Sequence, residues 1–362
     1  MYTLYGAQVS YFTGKARAFL QYSGLPFEEK LATREVYQQV IVPKIGWPVI
    51  PVIITPEGDA LQDTSDIIDA LSGKSVGPSV YPEGPQQKLA SLMMEVIGDE
   101  WLVIPAMHYR WTYNRDFAYA EFGAISAPDA SPDEQFAIGK KNAVNFEGAL
   151  PVLGINGENG AAIESTYHTL LELLDAHFAV HDFLLGGRPT IGDFGLYGPL
   201  YAHQYRDPAS GALMKEKAPR LAAWVERMRD LPDGKTLGGE LLANDEVPES
   251  LVAILRFQLE EFAPVLASTA DALVDWAREQ ETGANVPRAI GMHPFYYGGV
   301  ASQRMIFPFN LWMLQRPMDH LANLDGADLE TGEAAMTHWG AEALLGLTWP
   351  KLTRKAFKLH LA

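Results

Sequence analysis

The sequence predicts an α/β N-terminal domain, then an all-α helical domain, then a mainly helical C-terminal extension. Three observations predict it. Strand and helix patterns alternate through the first 72 residues, a Gly/Pro-rich break runs from Ser72 to Pro85, and apolar residues at helical spacing dominate from Gln86 onward. Domains are accordingly expected at residues 1–80, 86–230 and 231–362. At 362 residues the chain exceeds one ordinary core, and 48% apolar residues are ample to bury several.

Tyr2-Thr3-Leu4-Tyr5 reads as a short strand and Gly6 to Thr13 as a loop. Lys15 to Tyr22 reads as a helix with Ala16, Phe19 and Leu20 inward and Gly24 as its stop. Leu25-Pro26-Phe27 leads into a second strand. Pro51 cannot donate a ladder hydrogen bond, so it belongs at a strand's first position; a cis bond there turns the N–H and C=O of Ile50 outward. An extended peptide can pair with those two groups. The turn Pro56-Glu57-Gly58 returns the chain to Asp63-Thr64, the start of a helix whose inner face is Ile67, Ile68 and Leu71. Free amides at such a start donate to a carboxylate. Taken alone, the pattern is equally a plain hairpin leading into an N-capped surface helix. Strand, helix, strand, helix-like stretch, hairpin and helix, in that order, make a thioredoxin-like half.

Beyond the break, Leu89, Leu92, Met93, Val96 and Ile97 share a helical face, and the same helix is expected to carry Asp99-Glu100-Trp101 on to His108-Tyr109-Arg110-Trp111. A long loop with Pro128 and Pro132 follows, and a second breaks the chain at 154–160. Helices are expected at Ile163 to Phe178, Phe194 to Tyr205 and Leu221 to Met228. In Leu184-Leu185-Gly186-Gly187-Arg188-Pro189-Thr190-Ile191-Gly192-Asp193 a loop ends in a capping box: Thr190 bonds the amide of Asp193, whose carboxylate reaches back to the amide of Thr190. In the extension, Leu251 to Leu266 marks an amphipathic helix and Phe307 to Leu314 another. Met292 to Gly299 reads as an irregular aromatic segment, and the basic cluster Lys351 to Lys358 as a solvated helix face.

Composition removes several functions. A formal charge of −17 and a pI near 4.9 argue against nucleic acid or an anionic membrane surface as partner. The richest apolar stretch, Met305 to Leu314, is too short to span a bilayer. Met1 leads straight into a strand pattern without a basic, apolar leader, so the cytoplasm is the expected location. The absence of cysteine removes disulfides, thiolate metal sites and every mechanism that needs a protein thiol. His177 and His181 stand four apart near Asp175 and Asp182, the spacing of two ligands on one helix face, but the general-base glutamate of the zinc-protease pattern is missing and no metal is expected. Asp99, Glu100, His108 and Arg110 read either as an acid/base group or as a buried salt-bridge network.

Two stretches resemble the glutathione transferase superfamily. In its serine-type branches Ser-Pro, a few variable residues and Lys-Val-Arg open the first helix. Here Ser10-Tyr11-Phe12-Thr13-Gly14-Lys15-Ala16-Arg17 keeps the serine, lysine and arginine, with Tyr11 for the proline. The second is the Leu-Gly-Gly run before Thr190-x-x-Asp193. The resemblance covers about residues 1 to 230 and excludes the cysteine-type members. It implies that glutathione binds, that Ser10 donates its O–H to the glutathione thiolate (Tyr11 being the alternative donor and Thr13 a candidate N-cap), and that a helix N-terminus adds favourable potential. It implies backbone pairing of the cysteinyl part at Ile50 and Pro51, the γ-glutamyl end at Asp63 and Thr64, and Lys44 on the glycine carboxylate. An apolar electrophilic small molecule would then meet an aromatic wall of Tyr109, Trp111 or Tyr113. Conjugation, ether cleavage by a lyase, dehalogenation and isomerisation all begin with the same thiolate. A homodimer is implied by the resemblance alone, and a non-catalytic binding or assembly module is the rival reading, favoured by the long extension.

Overall fold

The computed structural model describes residues Met1–Ala362. In chain order the first elements are β1 (Tyr2–Gly6), α1 (Tyr11–Ser23), β2 (Phe27–Leu31), α2 (Arg34–Val36), a π turn (Tyr37–Ile41), α3 (Val42–Ile45), β3 (Val52–Ile54), β4 (Ala60–Gln62) and α4 (Thr64–Ser72). The strands form one sheet in the order β2-β1-β3-β4, with β1 parallel to β2 and antiparallel to β3. This is the expected thioredoxin-like α/β domain. Helix α1 starts four residues earlier than its apolar pattern indicates, because Ser10 rather than Thr13 is the cap: Ser10 Oγ accepts the Thr13 amide at 3.3 Å. Gly24 ends it with φ 67°, a conformation that costs a glycine nothing.

The helical part begins with α5 (Pro85–Val96), a π turn (Ile97–Trp101) and α6 (Val103–Tyr113). The single helix expected over 86–111 is thus interrupted. Pro105 has no N–H for the carbonyl of Trp101, and the register shifts there, with the Leu102 amide bonding Ile97 O. Next come α7 (Arg115–Ser126) and α8 (Pro132–Glu147), where the two prolines had indicated a long loop. Pro132 instead occupies the first turn of α8, behind a capping box formed by Ser131 and Glu134. The two helices pack closely: a Cβ on Gly123 or Gly139 would stand 1.7 Å from a carbonyl oxygen of the other helix.

Then follow α9 (Gly160–Phe178), α10 (Ile191–Pro199) running into a π turn (Leu200–Tyr205), α11 (Pro208–Lys217), α12 (Pro219–Arg229) and α13 (Gly234–Leu237). The extension holds α14 (Glu249–Ala277), the hairpin β5 (Met292–Tyr297) with β6 (Val300–Met305), α15 (Phe309–Ala322), α16 (Gly326–His338) and the hairpin β7 (Leu352–Lys355) with β8 (Lys358–Leu361). Both segments expected to be irregular or helical, 292–299 and 351–358, are therefore strands. Along β5 exposure alternates strictly, with His293, Phe295 and Tyr297 buried. The extension is otherwise helical, as expected.

The chain divides into two compact units, each assembled from three stretches. The first comprises Met1–Val80, Ala106–Ala149 and Phe194–Glu240; the second comprises Tyr81–Pro105, Leu150–Asp193 and Leu241–Ala362. The first has its core around Leu4, Phe19, Ile53, Ile67 and Trp224, with Phe194 edge-on to Phe19 at 5.9 Å. The second is centred on Leu89, Met93, Leu170, Leu255 and Leu311, with Trp101 stacked on Phe262 at 4.8 Å. No helix is long and apolar enough to cross a membrane.

Candidate functional site

Strand register brings three candidate elements to one end of the sheet. Tyr5 pairs with Val52, and Val52 with Gln62. The next row therefore holds Gly6, where the chain leaves β1 for Ser10, together with Pro51 and Asp63. The Ile50–Pro51 bond is cis, and Ile50 stands just outside the ladder that begins at Val52. Asp63 takes φ 77° and caps α4, its Oδ1 accepting the amides of Ser65 at 2.9 Å and Asp66 at 3.4 Å. Thr64 behind it is buried. Helices α1 and α4 are tied together by Lys15, fully buried, whose Nζ donates to Ser65 Oγ at 3.4 Å.

Ser10 is half-buried and its Oγ accepts from the first turn of α1, while its own O–H donates to no protein group. Gly6 is required beneath it, since a Cβ there would lie 2.2 Å from the Thr13 methyl. Tyr11, the alternative donor, is buried with its ring edge-on to His203 at 5.5 Å.

Other expected residues lie elsewhere. Lys44 Nζ donates to the carbonyl of Gly58 at 2.9 Å, which places the ammonium at the turn end of the β3–β4 hairpin, opposite the cis-proline end. On α6, Tyr109 and Tyr113 share a face at 5.7 Å, four residues apart. Trp111 points to the other side and packs against Tyr119, Phe122 and Phe146, inside the α7–α8 pair. Of Asp99, Glu100, His108 and Arg110, Arg110 pairs with Asp207, and Glu100 accepts from Asn310 Nδ2 at 2.6 Å. His177 bonds Ser250 Oγ at 2.8 Å, and burial followed by the neighbouring His181 pushes its pKa down to about 4.

The capping box is half as expected. Asp193 Oδ2 accepts the Thr190 amide at 2.8 Å, but Thr190 Oγ1 donates to that same oxygen instead of receiving the Asp193 amide. Oδ1 is used further afield, on the Leu184 amide at 2.9 Å. The box therefore closes the Leu184–Asp193 loop as well as starting α10.

Two shallow clefts occur in the first unit. One, of about 320 Å³, is lined by Tyr113, Asn114, Phe117 and Pro208; the other, of about 390 Å³, lies between Thr33–Gln38 and Ser126–Ala130. Neither is lined by Ser10, Pro51 or Asp63. Pattern reading missed the contacts that hold the Ser10 loop, Arg110 to Val9 and Tyr201 to Gln8. These join residues far apart in the chain and leave no local periodicity.

Residues 4–79 match the family profile described as glutathione S-transferase, N-terminal domain, and residues 158–227 match that of the glutathione S-transferase C-terminal domain. No curated protein matches the chain. Among solved structures it is similar to a glutathione S-transferase from Rhodospirillum rubrum F11, at 16% identity over 70% of this chain and 99% of that one, with a TM-score of 0.42. It is similar also to the beta-etherase LigF of Sphingobium sp. strain SYK-6, at 18% identity over 65% and 98% with a TM-score of 0.47. A glutathione transferase family member from Pseudomonas fluorescens Pf-5, solved with bound glutathione, gives 15%, 66%, 98% and 0.35.

Proposed function

This chain belongs to the glutathione transferase superfamily, and from that premise we propose that it binds glutathione and directs the sulfur at an electrophilic carbon of an apolar second substrate. The observation that carries the reading is the row at the end of the sheet, where Gly6, from which the chain leaves for the Ser10 cap, lies level with the cis-proline and the Asp63-capped start of α4. The residues fit the ligand's chemistry. An amino-acid end carries both charges, and Asp63 supplies an acid for the ammonium while Thr64 and the α4 amides supply donors for the carboxylate. Ile50 offers backbone groups to the extended middle of the peptide. Lys44, held by Gly58, has no part in this reading.

Glutathione, when bound, supplies a thiol whose ionised form attacks the electrophile. A thiol of pKa about 8.5 needs about 1.4 kcal/mol of preferential thiolate stabilisation for each unit of lowering. Ser10 is suited to provide it. One of its two lone pairs accepts the Thr13 amide and its O–H is available to donate, and the α1 N-terminus adds positive potential on the same side. Serine is then a donor and never a nucleophile. On α6 the exposed ring of Tyr113, backed by the buried Tyr109, offers an aromatic surface to the second substrate. A homodimer belongs to the same reading, and light scattering over a range of concentrations checks it.

The test is calorimetric titration of glutathione into the wild type and Asp63→Ala, with thiolate absorbance followed against pH in the wild type and Ser10→Ala. Micromolar to low-millimolar binding that weakens in Asp63→Ala, and a thiolate signal near neutral pH that is lost in Ser10→Ala, are expected. Absence of binding by the wild type would remove the reading.

A further inference from the structure

Four hydrogen bonds converge on the guanidinium of Arg110, whose side chain is buried in the first unit. Nε and Nη2 donate to the two carboxylate oxygens of Asp207 at 2.7 and 2.8 Å, and Nη2 donates also to the carbonyl of Ala202 at 2.6 Å. Nη1 donates to the carbonyl of Val9 at 3.0 Å. Val9 precedes Ser10. One residue earlier, the Tyr201 hydroxyl donates to Gln8 Oε1 at 2.6 Å. The loop closes on itself with Ser10 N to Ala7 O at 3.1 Å. Three successive residues, Gln8, Val9 and Ser10, are thus each pinned.

A carbonyl in a loop needs one donor, which water supplies without burying two charges. Here a bidentate pair, costly to desolvate, has one guanidinium nitrogen left over for Val9. The Val9 carbonyl and the Ser10 amide belong to one rigid peptide plane, so fixing the oxygen fixes the direction in which the Ser10 Cα and hydroxyl emerge. His203 stands beside this pair, buried and held far below its ordinary pKa by that burial and then by Arg110 and Arg206; it stays neutral and does not compete for Asp207.

We propose that Arg110, fixed by Asp207 and assisted by Tyr201, is the positioning residue of the Ser10 hydroxyl, an inference that rests on Ser10 being the thiolate donor. A donor acts on charge only when held at hydrogen-bond distance and direction, so a small displacement of the loop weakens it without emptying the peptide-binding row.

The experiment follows bound thiolate against pH, together with the glutathione Kd, in the wild type, Arg110→Lys, Tyr201→Phe, Ser10→Ala, and each of the first two variants combined with Ser10→Ala. Arg110→Lys keeps a cation for Asp207 but loses the planar fork. It is expected to raise the thiolate midpoint by about one pH unit, a tenfold loss of thiolate below the midpoint, with Kd changed less than about twofold. Tyr201→Phe moves the midpoint the same way by about threefold in thiolate. Neither change adds anything once Ser10 is alanine. An unmoved midpoint in both variants, or an equal shift in the Ser10→Ala background, would overturn the positioning role while leaving the glutathione reading intact. If Arg110→Lys fails to fold by circular dichroism, Tyr201→Phe decides on the same criterion. A wild type without a thiolate signal, or one that Ser10→Ala leaves unchanged, removes the function and this inference together.

Discussion

Two buried arginines, one in each compact unit, are handled in opposite ways. Arg110 is 2% exposed and Arg304 1%. Arg110 meets a carboxylate and two carbonyls. Arg304, on β6, meets rings instead: its guanidinium lies 5.8 Å from the centroid of Trp101, 5.7 Å from Phe295 and 5.6 Å from Phe307, and its Nε and Nη1 find no acceptor. Burial, offset in part by the charge of Glu100, pulls its pKa down to about 10. The difference separates a cation used to hold a loop from a cation tolerated in an aromatic cage. Pairing makes the first indispensable to its surroundings, while the second charge is a net cost to its unit.

Removing Asp207 breaks the comparison most strongly. Asp207→Ala leaves Arg110 buried without its carboxylate and is expected to cost about 3–5 kcal/mol in denaturant unfolding. Arg304→Met should change stability with the opposite sign, a gain of about 1–3 kcal/mol, since an apolar side chain of similar length keeps the ring contacts and carries no charge to desolvate. A loss of stability there instead would mean that the cage holds its cation favourably. His293, paired in register with Arg304 and bonded to Ser268 Oγ at 2.5 Å, sharpens the contrast through pH. Burial and then the Arg304 charge push its pKa down to about 4. The unfolded chain takes the proton near 6.5 and the native state resists it, so stability present above pH 6.5 is lost as pH falls toward 4. Between pH 7 and pH 5 this amounts to about 1 kcal/mol after allowance for screening, seen as a smaller acid drop in Tm for His293→Gln than for the wild type. The exposed pair Arg278–Asp275, at 2.8 Å, calibrates the other end: Arg278→Ala should stay within about 0.5 kcal/mol, because pairing in water contributes little.

The α/β half was legible because its signals are local: Gly24 stops a helix, Pro51 opens a strand and Asp63 starts a helix, each within a few residues of its effect. Helix starts were less legible. Tyr11-Phe12-Thr13 looks like loop or strand by propensity, yet the Ser10 cap carries these residues into α1. The α7–α8 pair had its sign in Ser131-Pro132-Asp133-Glu134, which was read as a breaker when Pro132 sits in the first turn, where its missing N–H costs nothing. Gly298-Gly299 between alternating residues was a hairpin signal hidden by Pro294. The turn at Ala356-Phe357, with φ 47° and 63° at non-glycine residues, has no such signature. Of the site, the sheet-end row was readable, whereas Lys44 and Trp111 were misplaced because side-chain direction depends on partners distant in the chain.

The interleaving of the two units sets a timetable for synthesis. Asp207 lies 97 residues beyond Arg110, so at about 5–20 residues per second the arginine waits about 5–20 s on the ribosome for its carboxylate. During that interval the Val9–Ser10 stretch has been made but lacks its clamp. The first unit closes only when residues up to Glu240 have emerged. Truncation between Arg110 and Asp207 therefore yields a chain whose N-terminal sheet is complete in sequence yet lacks the counterion that completes its loop.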